Sequence, residues 1–126
     1  ARAPAVREGF DRVLVDAPCS GIGAARRRPE LLWRPQRTDL SALARLQVTI
    51  ASAAADRLRP GGRLVYSVCT FPRAETDAAC DALLGGRPDL EPVRVEGPDG
   101  SAERVRLWPH RHGSDAMFVA AFRRRD

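Results

Sequence analysis

Two apolar runs, Val13-Leu14-Val15 and Leu64-Val65-Tyr66-Ser67-Val68, stand out against a background of charged and small residues. Each predicts a short buried strand of a parallel sheet, because consecutive apolar and β-branched residues leave no polar face for water. Between them the apolar period changes. Leu43, Leu46, Gln47, Ile50, Ala54 and Leu58 recur at helical steps, predicting a helix from about Asp39 to Leu58. Thr38 or Asp39 can cap it, and Pro60-Gly61-Gly62 can end it. Strand, helix and strand then form a βαβ unit with a right-handed crossover, whose two strands lie side by side about 4.8 Å apart.

The remaining pattern extends this α/β scheme. Ala1 to Gly9 reads as a loop, and Gly21 to Pro35 as a long basic loop or short helical turn carrying Arg26, Arg27 and Arg28. A second helix is predicted from about Arg73 to Leu84, stopping at Gly85-Gly86. Three strands follow, Leu90 to Val95, Arg104 to Trp108 and Ala116 to Arg123, with a turn at Gly97-Pro98-Asp99-Gly100 between the first two. A strand as apolar as Val13-Leu14-Val15 normally lies inside a sheet, yet nothing upstream supplies its second neighbour. The chain, which begins at Ala1, is therefore expected to be one partial domain whose sheet continues on the amino-terminal side. Expressed alone, it is expected to associate through that edge.

Composition adds three points. At 126 residues and 44% hydrophobic, the chain has the size of one domain with an ordinary core. Its net charge of +5 comes from arginine alone, since no lysine is present. That fits a phosphate-bearing partner and equally the codon bias of a GC-rich genome. No apolar run reaches the length of a membrane span and no signal pattern opens the chain, so a cytoplasmic location is expected. The three cysteines lack C-x-x-C spacing and two histidines have no companion ligands, so free thiols are expected and no metal site.

The candidate chemistry lies where the strands end. Cys19 follows the first apolar run after Asp16-Ala17-Pro18, and Cys69 directly follows the second. Open α/β sheets bind ligands above the carboxyl ends of their strands, so two thiols and the Asp16 carboxylate can share one pocket. A thiolate is a soft nucleophile suited to a polarised carbon-carbon double bond, although at neutral pH only a few per cent of an ordinary cysteine is ionised. Attack at carbon 6 of a pyrimidine would turn carbon 5 into a nucleophile able to take a methyl group. Asp16 can accept hydrogen bonds from an amino group or share a proton with a ring nitrogen. Cys80, on the apolar side of a helix, reads as an inert core residue.

These residues also resemble a family. Asp16-Ala17-Pro18-Cys19-Ser20-Gly21, Arg27-Arg28-Pro29-Glu30 with Trp33, Pro60-Gly61-Gly62 through Cys69-Thr70, and Trp108-Pro109-His110 with Asp115-Ala116-Met117-Phe118 resemble the Sun-type (Nol/Nop/Sun) RNA cytosine methyltransferases. The bacterial members acting on small-subunit ribosomal RNA look nearest. The resemblance implies a Rossmann-like class I methyltransferase fold and S-adenosyl-L-methionine as methyl donor. It also implies 5-methylcytosine in RNA as product. By position, it makes Cys69 the nucleophile and Cys19 the residue that aids product release. Asp16 would stand where donor and cytosine meet. Pro18 is a further substrate-binding candidate, and from its loop at the pocket at least one of Arg26, Arg27 and Arg28 is expected to contact an RNA phosphate, the alternative being a solvated face.

The family's glycine-rich donor loop, Asp-x-Cys-Ala-Ala-Pro-Gly-Gly-Lys, is not in this sequence, and Gly21-Ile22-Gly23 follows the wrong strand to replace it. Thr76 stands where asparagine is common, and Ala116-Met117 where Gly-Phe is usual. The chain thus reads as the carboxyl-terminal half of a catalytic domain, needing its amino-terminal half to work. Two alternatives stay open: a class I methyltransferase with another substrate, and an RNA-binding remnant with idle cysteines. Because Pro18-Cys19 also resembles the Pro-Cys motif of DNA cytosine methyltransferases, the two thiols can be assigned in the opposite order.

Overall fold

The computed structural model describes residues 9–25 and 40–126. The elements are β1 (Phe10–Asp16), α1 (Leu40–Ala55), β2 (Leu58–Val68), α2 (Asp77–Gly86), β3 (Leu90–Val93), β4 (Val95–Gly97), β5 (Gly100–Ala102), β6 (Arg104–Leu107), α3 (Pro109–His112) and β7 (Met117–Arg124). Short 3-10 turns cover Ile22–Ala24 and Arg73–Glu75. The main sheet has the order β1-β2-β7-β3, and β6 joins the same edge of β7 as β3. As the βαβ reading requires, β1 and β2 are adjacent and parallel; all pairings of β7 are antiparallel. The sheet is thus mixed.

Alternation along the strands builds the core. Leu64, Tyr66 and Val68 of β2 and Phe118, Ala120 and Phe122 of β7 turn to one face, where they are buried against α1 and α2. The helices meet that face through small or compact residues, Ala51, Ala54 and Ala55 on α1 and Ala79, Cys80 and Leu83 on α2. The rings of Tyr66 and Phe118 pack edge to face with centroids 6.3 Å apart, a favoured aromatic arrangement. Arg104 and Arg106 of β6 bond Asp77 in the first turn of α2, fastening that helix to the sheet. Burial raises the Asp77 pKa, but the Arg104 hydrogen bond and the charges of Arg106, Arg104 and Arg73 outweigh it and leave it below the usual value.

Several boundaries differ from the sequence reading. Helix α1 stops at Ala55, and Leu58 is a buried residue of β2 instead of the last helical position. The strand therefore begins before Pro60-Gly61-Gly62. It passes this segment through an irregularity in its pairing with β1, with Gly61 at φ +83. A bulge is where a strand tolerates a proline that cannot donate to the ladder. The buried stripe of α1 is Gln47, Ala51, Ala54 and Ala55, whereas Leu46 lies exposed, because close approach at this crossing favours alanine over leucine. The second helix is split at Thr76 into a 3-10 turn and α2, which directs Glu75 inward. The stretch predicted as one strand from Leu90 to Val95 divides at Arg94, giving β3 and a separate β4–β5 hairpin around Pro98-Asp99. The proposed caps Thr38 and Asp39 lie outside the described residues.

Strand β1 is not buried on both faces. Val15 points into the core, but Leu14 is 68% exposed, and the outer edge of β1 has no partner among the described residues. An apolar, unpaired edge is a template for strand addition. The isolated chain should therefore associate in a concentration-dependent way in sedimentation velocity, and Leu14→Lys should shift it toward monomer. A monodisperse wild-type monomer across the concentration range would contradict this.

Candidate active site

The register of two strands places the thiols. Val15 pairs with Tyr66 and Asp16 with Ser67, so the chain leaves both parallel strands at the same level. Ala17 N–H extends the ladder by donating to Ser67 O at 3.1 Å. A few residues beyond, Cys19 Sγ and Cys69 Sγ stand 3.4 Å apart, both half-buried and both free thiols. The turn after Cys19 is stitched to the same place. Gly23 N–H donates to Cys69 O at 3.0 Å, and Ala116 N–H donates to Gly23 O at 2.8 Å. A Cβ on Gly23 would sit 2.2 Å from Ala116 O and 2.7 Å from Cys69 O, so only glycine fits.

Beneath the thiols lies a polar cluster that the sequence reading did not single out. Glu75 is fully buried, and its carboxylate accepts from Ser20 N–H at 2.8 Å, Ser20 Oγ at 2.7 Å, Thr70 Oγ1 at 3.2 Å and Gln47 Nε2 at 3.1 Å. Ser20 Oγ and Thr70 Oγ1 are also in mutual contact at 2.7 Å. Gln47 Nε2 further donates to Pro18 O at 2.8 Å, while Gln47 Oε1 is buried with no partner among the described residues. Tyr66 Oη donates to Glu75 O at 2.8 Å, tying the turn to β2. The one advance signal was Gln47, an amide on the apolar stripe of α1; Glu75 gave none, because its partners are 5 to 55 residues away in sequence.

Burial, then the hydrogen bond and charge of Cys69, push the Cys19 pKa up from 9.0 to about 12. Cys19 therefore keeps its proton at neutral pH and can donate it toward the Cys69 sulfur. Burial likewise raises Tyr66, which stays a hydrogen-bond donor.

The other predicted residues are placed as follows. Asp16 is exposed at the end of β1, and Pro18 is exposed with its carbonyl held by Gln47. Arg26, Arg27 and Arg28 lie outside the described residues. Cys80 is a buried core residue, as read. His112 accepts from Trp108 N–H through Nδ1 and reaches Asp99 through Nε2. Within the Gly21–Ala24 turn, Gly23 is closed off by the backbone of Cys69 and Ala116, whereas Gly21 faces open space. Among the described residues, the strand ends thus hold a thiol pair and one exposed carboxylate.

A helix-covered α/β sheet with two thiols at adjacent strand ends places reactive groups where open α/β sheets bind their ligands. Comparison with known proteins narrows this. The family model described as 16S rRNA methyltransferase RsmB/F matches residues 2–123. A putative methyltransferase of Mycobacterium tuberculosis is 55% identical over 124 residues, covering 92% of this chain and 27% of that protein. A probable ribosomal RNA small subunit methyltransferase B of Bacillus subtilis is 38% identical over 129 residues, covering 94% and 28%. Among solved structures, NSun6 from Pyrococcus horikoshii with SFG superposes with TM-score 0.75 at 29% identity, over 94% of this chain and 31% of that one. PH0851 superposes with TM-score 0.81 at 32% identity, over 89% and 26%. The chain belongs to the RsmB/F methyltransferase family, and spans about a quarter of the length of its curated relatives.

Two expectations follow. Cys19 and Cys80 are raised from 9.0 to about 12 and Tyr66 is raised from 10.0, each chiefly by burial. The unfolded chain loses these protons first, so above about pH 9 the folded state binds more protons and stability falls as pH rises. In reductant, the urea midpoint should be flat from neutrality to about pH 8 and drop steadily toward pH 11; an unchanged midpoint would refute the buried-thiol assignment. Separately, Gly23→Ala should cost about 1–3 kcal/mol in urea unfolding through overpacking, and a neutral effect would mean that the turn is not closed on Cys69.

Proposed function

We propose that this chain is the carboxyl-terminal part of the catalytic domain of an RNA cytosine-5 methyltransferase acting on ribosomal RNA. It would use S-adenosyl-L-methionine and carry the reactive thiol pair of its parent. The observation that carries this reading is the 3.4 Å separation of Cys19 and Cys69 at the ends of adjacent parallel strands. Family membership supports RNA as substrate, and a neighbour solved with SFG, an analogue of S-adenosyl-L-methionine, supports the donor. The donor pocket is assigned to the rest of the parent. Of the described residues, Asp16 is the one assigned to face donor and base in this reading. Ribosomal RNA as substrate also implies work in the cytoplasm.

The chemistry assigned to this chain begins at Cys69. Its thiolate adds to carbon 6 of the cytosine, forming a carbon-sulfur bond and moving the ring electron pair to carbon 5, which becomes nucleophilic. After carbon 5 has been methylated, release requires that a solvent water take its proton and that the freed electron pair re-form the ring double bond and expel Cys69 as thiolate. The Cys19 thiol, still protonated, donates a hydrogen bond to that departing sulfur and lowers the cost of its charge. Asp16 accepts from the cytosine amino group or ring nitrogen, with Pro18 and the Arg26, Arg27 and Arg28 segment on the RNA side.

The test is covalent trapping. The full-length parent, the methyl donor and ribosomal RNA carrying 5-fluorocytosine are mixed, and a denaturation-resistant adduct is sought. Wild type and Cys19→Ala should form it, and Cys69→Ala should not. Adduct lost with Cys19→Ala and kept with Cys69→Ala would exchange the roles. No adduct from wild type on an RNA it methylates would overturn the covalent mechanism; tight RNA binding with neither adduct nor methylation would favour a non-catalytic RNA-binding protein.

A further inference from the structure

We infer that Glu75 is the positioning residue of the thiol pair, an assignment that rests on the reading of Cys69 and Cys19 as the reacting groups. The residue immediately after each cysteine is held by the same carboxylate. Ser20, after Cys19, is gripped twice, through its N–H at 2.8 Å and its hydroxyl at 2.7 Å. Thr70, after Cys69, is held at 3.2 Å directly and through Ser20 Oγ at 2.7 Å. The residue before Cys19 is held at one remove, since Gln47 Nε2 bridges Glu75 Oε1 at 3.1 Å and Pro18 O at 2.8 Å. Glu75 is itself anchored, its carbonyl by Tyr66 Oη at 2.8 Å and its N–H by Pro72 O at 3.0 Å.

The setting argues against a role in stability alone. A fully buried carboxylate is costly to desolvate, and a buried polar network is often no more stable than well-packed apolar side chains that replace all of its members together. Its return here is geometric. Two loops that leave different strands, 50 residues apart in sequence, are tied to one rigid group directly beneath their sulfurs. A planar acceptor with two oxygens can take donors from both loops at once, whereas an amide of the same size offers one acceptor oxygen and opposes the remaining donors with its own N–H groups.

The experiment uses the full-length parent with Glu75→Gln, and with Ser20→Ala/Thr70→Val as a second variant that removes the hydroxyl links but keeps the carboxylate. Three readouts are taken on variants that melt cooperatively. One is affinity for unmodified ribosomal RNA. Another is the rate of adduct formation with 5-fluorocytosine RNA. The third is the rate at which diamide couples Cys19 to Cys69, two thiols giving a disulfide while the diazene becomes a hydrazine. This last rate measures sulfur placement independently of any RNA chemistry. A displacement near 1 Å predicts adduct formation slowed about 100-fold, with RNA affinity held within about twofold and disulfide coupling slowed in parallel.

Wild-type coupling and adduct rates in either folded variant would overturn the inference, as would a slow adduct with unchanged coupling. If wild type forms no adduct, the methyltransferase mechanism fails, while the coupling rates still decide what Glu75 does. If Glu75→Gln does not fold, the double variant alone decides by the same criteria.

Discussion

The parallel register of β1 on β2 governs the rest of the structure. Side chains alternate across a strand with period two, so a one-residue slip would turn Leu64, Tyr66 and Val68 from the helix-covered face to the other side. Burial of these residues against α1 and α2 therefore holds Val15 opposite Tyr66 and Asp16 opposite Ser67. With that pairing fixed, two loops leave the sheet at one level, and their cysteines have little choice but to meet. The core thereby places the two thiols through register, and Cys19 also packs against it.

How far the sequence displays this depends on the range of the interactions. The apolar runs of β1 and β2 and the helical period between them are local patterns, and they located the adjacent parallel strands and the two thiols at their ends. Boundaries set by tertiary contacts were not visible. Leu58 continues the helical period, yet it is buried at the start of β2, because the chain turns at Asp56 and Arg57. Leu14 lies in a uniformly apolar run, yet only Val13 and Val15 turn toward the packed face. The polar centre was the least legible. A glutamate in a stretch with helical propensity reads as a solvated position, and nothing local reveals that Ser20, Gln47 and Thr70 converge on Glu75.

The arginines illustrate the limit of arguing from charge. A net charge of +5 fits a phosphate-bearing partner, but several arginines are engaged within the protein. Arg104 and Arg106 bond Asp77, Arg87 bonds Asp56 and Asp89, and Arg123 bonds Glu91. Such pairs at or near the surface contribute little each to stability, and they lower the charge that remains available to RNA. The RNA reading accordingly stands on the thiol site and the family, and net charge adds little to it.

The proposed mechanism gives the two cysteines different roles. At 3.4 Å, a second thiolate would face the full repulsion of the first in a half-buried setting, so the pair loses one proton far more easily than two. Burial, reinforced by the neighbouring sulfur, raises the Cys19 thiol. A sulfur that keeps its proton is a poor nucleophile and a good hydrogen-bond donor. A sulfur facing such a donor is stabilised as thiolate both before it attacks and when it is expelled. In the mechanism proposed above, the same contact would favour both the start and the end of a covalent cycle at Cys69, provided the separation is maintained. Maintaining it demands a rigid link between two loops that share no backbone, and the buried carboxylate of Glu75 bonds to both.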